Sequence, residues 1–194
     1  MKTQIFLIVA LILVAISSSA ARRQVSASPD GITISGLSSG AYLAVQMHVA
    51  FSNLFSGSAS ISGGTFWCAE GSVITAQLDC MRFPKTENAT TSLAQLQIYE
   101  KEGLVDPTRN LQNDRVLIFS SHKDSIVNLK NSARLENFYR SLIPHQQITH
   151  LVSQEAGHGF LTDNFGRKCG EEGSPWFQNC SFDLAGQILK RMYG

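Results

Sequence analysis

The sequence lacks a net charge of either sign. Its 16 Lys and Arg residues nearly balance 15 Asp and Glu residues, which leaves a formal charge of +1 on a chain of 194 residues. Adjacent basic residues occur only as isolated pairs, so the chain has no basic run of the kind that binds a phosphate backbone. Internal repeats and low-complexity stretches are also lacking, and 43% of the residues are apolar. These features argue against a nucleic-acid partner and indicate one globular domain.

The sequence also lacks an apolar run long enough to cross a membrane. Residues 5–16 are continuously apolar and follow the positive Lys2, but a membrane-spanning helix requires roughly 20 such residues. The small residues 17–21 that come next are typical of a signal-peptidase site. A signal anchor that stays in the membrane is the alternative. We expect a cleaved signal peptide over residues 1–21, a catalytic domain over 22–194, and a secreted, extracellular protein with no membrane contact after cleavage.

Cysteine is scarce, and no C-x-x-C pair is present. The four cysteines are Cys68, Cys80, Cys169 and Cys180. Zinc is disfavoured as their partner because the histidines are scattered, whereas an even number in an exported chain indicates disulfides. Three pairings are possible, of which the local one closes two small loops. Export would also make Asn88, in Asn-Ala-Thr, a glycosylation site.

Apolar strand-like runs alternate with helical patterns along the rest of the chain. Strands are predicted at 31–35, 57–62, 116–120 and 148–152, and helices at 41–55, 92–102, 129–142 and 183–192. Residues 65–90, and the segment around the second pair of cysteines, are predicted to be loops. This alternation predicts an α/β fold in which a parallel sheet forms the middle of three layers.

A G-x-S-x-G motif, residues 36–40, lies between the first strand and the first helix. A nucleophile elbow requires this context, and the two glycines are expected to permit the sharp turn and close packing. The phase of the motif makes Ser38 the nucleophile and assigns the Ser39 backbone N–H to the oxyanion hole. The alternative is a Gly/Ser turn that merely caps the helix.

A serine hydroxyl requires a base and an orienting acid to act as a nucleophile. Asp124 follows the third strand and His158 follows the fourth, so both should lie at the carboxyl edge of the sheet with Ser38. Asp106 and Asp114 precede the third strand and should lie at its opposite end. The order Ser, Asp, His is that of α/β-hydrolases.

The two tryptophans lie in or near the cysteine segments. Trp67 and Trp176 are weak candidates for lining an apolar substrate cleft, and a purely structural role is the alternative for each. His48, inside the first helix, is expected to be a packed residue.

Several segments together resemble secreted poly(3-hydroxybutyrate) depolymerases of the single-domain, circularly permuted α/β-hydrolase kind. They are residues 32–42 around the elbow, 121–124, 157–163 and 179–183, in the same order along the chain. The resemblance implies a serine ester hydrolase that forms an acyl-enzyme, with Ser38 as nucleophile, His158 as base and Asp124 as orienting acid. It implies an ester substrate, of which a polyester is one kind, and neither a metal nor an organic cofactor.

The chain departs from the family after its last helix. The permuted depolymerases continue there with further strands and a His-Gly-Cys segment that completes the oxyanion hole, and this chain shows neither. The resemblance is therefore to a partial fold. Losing one oxyanion donor typically lowers kcat by about 10²–10³. The first strand should be an unprotected sheet edge, open to self-association or to a complementing segment. A catalytically silent secreted binding module is the alternative function, and a serine peptidase is a third.

Overall fold

The structure is a computed structural model that describes residues 31–194. The predicted signal peptide and the polar segment after it lie outside the described residues. None of the helices within 31–194 combines the length and the apolar character that crossing a membrane demands.

A four-stranded parallel sheet forms the centre of the molecule. Its strands are β1 (Thr33–Leu37), β2 (Gly57–Ile61), β3 (Arg115–Ser121) and β4 (Ile148–Ser153), and they lie side by side in sequence order. Leu37, Ile61, Phe119 and Leu151 are paired in register across the sheet, so all four strands end at one edge. Whatever follows a strand is therefore delivered to the same side of the molecule.

Helices cover both faces of this sheet. They are α1 (Ser39–Ala50), α2 (Val73–Gln77), α3 (Thr90–Lys101), α4 (Leu129–Arg140) and α5 (Leu184–Tyr193). Alternate residues of β3 point into two separate apolar cores, as a strand with a period of two requires. Val116 and Ile118 pack into the core that holds residues of α1, α3 and α4, whereas Leu117 and Phe119 pack with α5. The predicted three-layer parallel α/β fold is confirmed.

The core beneath α1 contains a buried polar network. The His48 side chain is fully buried, with Nε2 placed 3.1 Å from Asp114 Oδ2 and Nδ1 placed 2.8 Å from the Tyr139 hydroxyl. Because buried polar groups require partners, this network ties the start of β3 to α1 and α4. His48 is therefore a packed residue, and Asp114 lies at the end of the sheet opposite Ser38.

Two segments that were predicted to be loops contain regular structure. Residues 65–90 include the short helix α2, capped by the Ser72 side chain, and a π-helical turn over Leu78–Arg82. After β4, three short strands form a second parallel sheet: β5 (Phe160–Thr162), β6 (Arg167–Lys168) and β7 (Phe177–Asn179), in the order β5–β7–β6. The loop predictions were wrong here because these elements are too short to produce a periodic apolar pattern.

The structure pairs the cysteines locally. Cys68 is bonded to Cys80 and Cys169 to Cys180, so that each disulfide closes a loop within one of these two segments. We call residues 68–80 the first disulfide loop and residues 169–180 the second disulfide loop.

Candidate active site

Ser38 occupies a backbone conformation that non-glycine residues rarely adopt. Its φ is 58° and its ψ is −121°, between the end of β1 and the start of α1. The Ser38 N–H donates to the Ile61 carbonyl over 2.9 Å, which anchors the turn to the neighbouring strand. Strain of this kind is characteristic of functional sites and is retained only where the surroundings hold it in place.

The two glycines of the motif differ in what they do. A Cβ on Gly36 would lie 2.2 Å from the carbonyl carbon and oxygen of Gly40, which no backbone tolerates, whereas a Cβ on Gly40 would have nothing within 4 Å. The expectation that both glycines are needed for close packing therefore holds for Gly36 and is wrong for Gly40.

Asp124 and His158 form a hydrogen-bonded pair in the interior. His158 Nδ1 lies 2.9 Å from Asp124 Oδ2, and the exposed fractions of the two side chains are only 4% and 1%. Asp124 Oδ1 also accepts the backbone N–H groups of Ile126 and Val127, at 3.0 and 2.8 Å. These bonds exist because the chain turns sharply after β3 and points its amides back at the carboxylate.

The charge state of Asp124 follows from these contacts. Burial on its own would raise the pKa of Asp124, but the hydrogen bonds from His158 and from the Val127 N–H together hold the pKa below its ordinary value. An ionised carboxylate only accepts hydrogen bonds, so His158 Nδ1 is the donor. The other ring nitrogen, Nε2, is thereby left with the lone pair that a general base requires.

Ser38 lies at the same carboxyl edge of the sheet as this pair. Within residues 31–194 no hydrogen bond joins the Ser38 hydroxyl to His158. Catalytic hydrogen bonds are often long in unliganded enzymes and tighten when substrate binds. The ring of Trp176 packs edge-on against the His158 imidazole, with centroids 5.8 Å apart.

An apolar cavity of about 450 Å³ opens beside the elbow. Ser38 and Ser39 form one end of it, and Trp67 with residues of the first disulfide loop forms much of the rest. The Trp67 backbone N–H is held by the Gln46 side chain at 2.9 Å. Trp67 thus lines the cavity that adjoins Ser38, whereas Trp176 is not part of its lining and contacts the histidine instead.

A buried ion pair holds the first disulfide loop against α4. Arg134 donates to both carboxylate oxygens of Asp79, at 2.7 and 3.3 Å, and its Nε donates to the Thr86 carbonyl at 2.7 Å. Burial would raise the pKa of Asp79, but the hydrogen bond from Arg134 and the one from the Lys85 N–H hold it below its usual value. The cavity wall is therefore fixed by ionic contacts as well as by the disulfide.

The remaining predicted residues are placed as follows. Ser39 is the first residue of α1, where backbone N–H groups have no partner inside the helix and can face a ligand. Asn88 is exposed in the loop before α3, and its side chain accepts the Thr90 N–H at 2.9 Å. Asp106 accepts the Asn53 N–H at 3.0 Å, remote from the carboxyl edge. Among residues 31–194 no cluster of histidine, cysteine, aspartate and glutamate has the composition and closeness to hold a metal ion.

Sequence reasoning missed two side chains that bind the segment between β4 and β5, residues 154–159, which we call the His158 loop. Glu172 Oε1 accepts the His158 N–H at 2.7 Å, and Gln178 Oε1 accepts the Gly157 N–H at 3.0 Å. Both belong to the second disulfide loop. No sequence signal distinguishes them, because each is one polar residue among several in a segment without periodicity.

Comparison with known proteins agrees with this geometry. The model of the prolyl oligopeptidase family matches residues 13–182. A poly(3-hydroxybutyrate) depolymerase of Delftia acidovorans is 39% identical over 163 residues, which cover 84% of this chain and 33% of that protein. A polyhydroxybutyrate depolymerase of Talaromyces funiculosus is 31% identical over 174 residues, which cover 86% of this chain and 49% of that protein.

Solved structures give the same result. A PHB depolymerase from Penicillium funiculosum, and a serine-to-alanine PHB depolymerase complexed with an R3HB trimer, each align with a TM-score of 0.77 and 27% identity. Each alignment covers 86% of this chain and 52% of the other. The chain thus spans between a third and about half of the length of the curated relatives that it matches.

A parallel sheet between two helical layers, with an elbow serine and a His–Asp pair at its carboxyl edge, defines part of an α/β-hydrolase fold. The chain belongs to the prolyl oligopeptidase family. The resemblance to poly(3-hydroxybutyrate) depolymerases is also confirmed, by sequence and by structure.

Proposed function

We propose that the protein is a secreted serine ester hydrolase of the poly(3-hydroxybutyrate) depolymerase type. The observation that carries the proposal is the buried His158–Asp124 pair at the same sheet edge as the strained Ser38 turn. The apolar cavity beside Ser38 suits the methyl-substituted chain of a hydroxyalkanoate, which offers few hydrogen-bonding groups. The similar depolymerases provide the substrate class.

In the proposed reaction the Ser38 hydroxyl oxygen attacks the carbonyl carbon of the ester. His158 Nε2 takes the hydroxyl proton, and Asp124 stabilises the imidazolium that forms. The oxyanion of the tetrahedral intermediate accepts a hydrogen bond from the Ser39 N–H. Collapse of the intermediate breaks the ester bond, and Nε2 returns the proton to the departing alcohol oxygen.

The second half of the proposed reaction releases the acyl group. Nε2 takes a proton from water, whose oxygen attacks the carbonyl carbon of the Ser38 ester. The second tetrahedral intermediate collapses to a carboxylic acid, and the proton on Nε2 returns to the Ser38 oxygen. No cofactor enters this sequence of steps.

A fluorophosphonate probe and a 3-hydroxybutyrate trimer together test the proposal. The wild-type chain should be labelled and should cleave the trimer, Ser38→Ala should do neither, and Ser39→Ala should keep its labelling because the Ser39 contribution is a backbone group. Labelling that survives Ser38→Ala would remove Ser38 from the role. A folded wild-type chain that is never labelled would overturn the proposal in favour of a silent binding module.

Export and glycosylation form the second part of the proposal. When the whole chain is expressed in a eukaryotic secretory host, the protein recovered from the culture medium should begin near residue 22. A shift in mass on removal of N-linked glycans, lost in Asn88→Gln, would support glycosylation of this exposed side chain. Retention in the cell with an intact leader would contradict secretion.

The third part of the proposal concerns the lateral edge of the four-stranded sheet, which β1 forms. β1 pairs with β2 on one side, and no strand of residues 31–194 pairs with its other side. We propose that this edge takes up another strand, from a second copy or from a complementing segment, because unpaired backbone groups promote such pairing. Concentration-dependent association in analytical ultracentrifugation, together with ANS binding, would support it, and a monomer at all concentrations without ANS binding would contradict it.

A further inference from the structure

The backbone around His158 donates hydrogen bonds to the second disulfide loop. The Gly157 N–H is bound by Gln178 Oε1, the His158 N–H by Glu172 Oε1, and the Phe160 N–H by the Trp176 carbonyl at 2.7 Å. Three of four successive amides are therefore held by residues of one loop.

Glu172 differs from Gln178 and Trp176 because it also binds the segment that carries Asp124. Its Oε1 accepts the N–H of Ser125 at 2.9 Å, and its Oε2 accepts the Ser125 hydroxyl. Ser125 directly follows Asp124 in the chain. A single carboxylate oxygen thus binds the backbone of His158 and the backbone next to Asp124, although these residues come from different strand ends.

Glycine at position 157 makes this approach possible. A Cβ on Gly157 would lie 2.6 Å from Glu172 Cγ, and one on Gly159 would lie 2.8 Å from Gln178 Nε2. The glycines that flank His158 therefore leave room for the side chains that hold it. Burial would raise the pKa of Glu172, but the hydrogen bonds from Ser125 and from the His158 N–H keep the pKa below its usual value, so Glu172 is an acceptor at neutral pH.

We propose that Glu172 is a positioning residue for the hydrolysis: by binding the main chain of His158 and of Ser125 at once, its carboxylate sets the distance between the His158 imidazole and the Asp124 carboxylate. The inference rests on the proposed function. Glu172 does not touch the reacting atoms, and it acts by keeping two loops in register. Small displacements matter here because a shift of about 1 Å in a catalytic group can lower the rate by about 10².

The neighbouring Glu171 provides a matched control. It has the same charge and lies in the same disulfide loop, but its side chain is exposed. Its Oε2 lies 3.9 Å from Arg167 Nη2 in an ion pair at the surface. Glu171→Ala removes a carboxylate one residue away without touching the His158 loop. Glu172→Gln is the conservative variant, because its amide oxygen can still accept the two backbone N–H groups.

The first readout is the kinetics of the whole chain with a soluble ester. Glu172→Ala should lower kcat, and the rate of fluorophosphonate labelling, by about 10- to 100-fold with KM changed by less than about threefold. Glu172→Gln should recover most of this loss, and Glu171→Ala should stay within about twofold of wild type. A Glu172→Ala chain with wild-type kcat, or an equal loss in Glu171→Ala, would overturn the proposal.

The second readout does not require activity. The proton of the His158 Nδ1–H···Asp124 bond gives a far-downfield proton NMR resonance, which is assigned by its loss in His158→Gln. This resonance should vanish or broaden in Glu172→Ala and persist in Glu171→Ala and Glu172→Gln. Its persistence in Glu172→Ala would overturn the positioning role. If wild type shows the resonance but never reacts with the ester or the probe, the proposed function fails and the resonance alone decides the role of Glu172.

Discussion

The two disulfide loops are almost equal in size, with their cysteines 12 and 11 positions apart in the sequence, yet they contact different parts of the site. The first loop forms the wall of the apolar cavity next to Ser38, and Arg134 fixes it against α4. No residue of the second loop lines that cavity, and two of its side chains bind the main chain at Gly157 and His158. One loop thus lines the cavity beside Ser38, and the other binds the loop that carries the His158 of the His158–Asp124 pair.

The same kind of disulfide can therefore support either the wall of a cavity or a hydrogen-bonded histidine loop. A disulfide restricts the unfolded chain to a similar degree in both loops, by about 3 kcal/mol for loops of this length. What separates the loops is the set of side chains that each one presents. Substitutions beside the second loop should therefore affect kcat, and substitutions in the first loop should affect KM or stability.

The largest effect is expected on the base side of the comparison. Asp124→Asn should lower kcat by roughly 10⁴, because the amide cannot hold His158 in the tautomer that leaves Nε2 free. Steady-state kinetics with a soluble ester measure the loss. Asp106→Asn, a change at a half-buried position at the opposite end of the sheet, is the control and should leave kcat within about twofold. Equal losses in both variants would break the assignment of roles.

A large effect on stability is expected at the first loop. Arg134→Ala leaves the Asp79 carboxylate buried without its partner, and such changes cost about 3–5 kcal/mol of unfolding free energy. Arg140→Ala breaks a surface pair with Glu136 and should cost less than about 1 kcal/mol. Urea unfolding of the two variants measures the difference. An Arg134→Ala protein as stable as Arg140→Ala would show that the ion pair does not hold the cavity wall.

A smaller effect on stability is expected at the glycines of the turn that holds Ser38. Gly36→Ala forces a methyl group into the Gly40 backbone and should cost at least about 1–3 kcal/mol. Gly40→Ala meets open space on α1 and should be neutral or stabilising by up to about 1 kcal/mol. Thermal unfolding distinguishes them. The two glycines would have to be regarded as equivalent if both variants lost stability.

The smallest changes are expected at the two tryptophans, one in the cavity and one beside His158. Trp67→Ala removes an aromatic wall from the cavity and should raise KM for an apolar ester by about tenfold with kcat nearly unchanged. Trp176→Ala removes the ring that packs on His158 and should lower kcat by a few fold with little change in KM. Kinetics on both variants provide the measurement. The opposite pattern would contradict the division between the loops.

Much of the site could be predicted from the sequence because its signals are local. The G-x-S-x-G motif identified the turn that holds Ser38, and the apolar runs located the strands after which Asp124 and His158 come. Parallel strands end at one edge, so the order of the residues along the chain already predicted their meeting place. The buried strand β3 was evident because both of its faces are covered and residues 116–119 form a continuous apolar run.

Other features could not be read because they depend on which segments meet. Glu172 is one of two adjacent glutamates, and nothing local separates it from the exposed Glu171. The helix within the first disulfide loop is too short to show a period. The difference between Gly36 and Gly40 appears only when the close approach of their backbones is measured.

Neighbours along the chain were enough to predict the layered fold, the turn that holds Ser38 and the residues of the His158–Asp124 pair, since each of these depends on local patterns. The cavity lining by the first disulfide loop, and the binding of the His158 loop by the second, became evident only from the folded chain. Hydrogen bonds such as those from the His158 and Ser125 amides to Glu172 join segments that are far apart in sequence, and their formation depends on distances that only the folded packing sets.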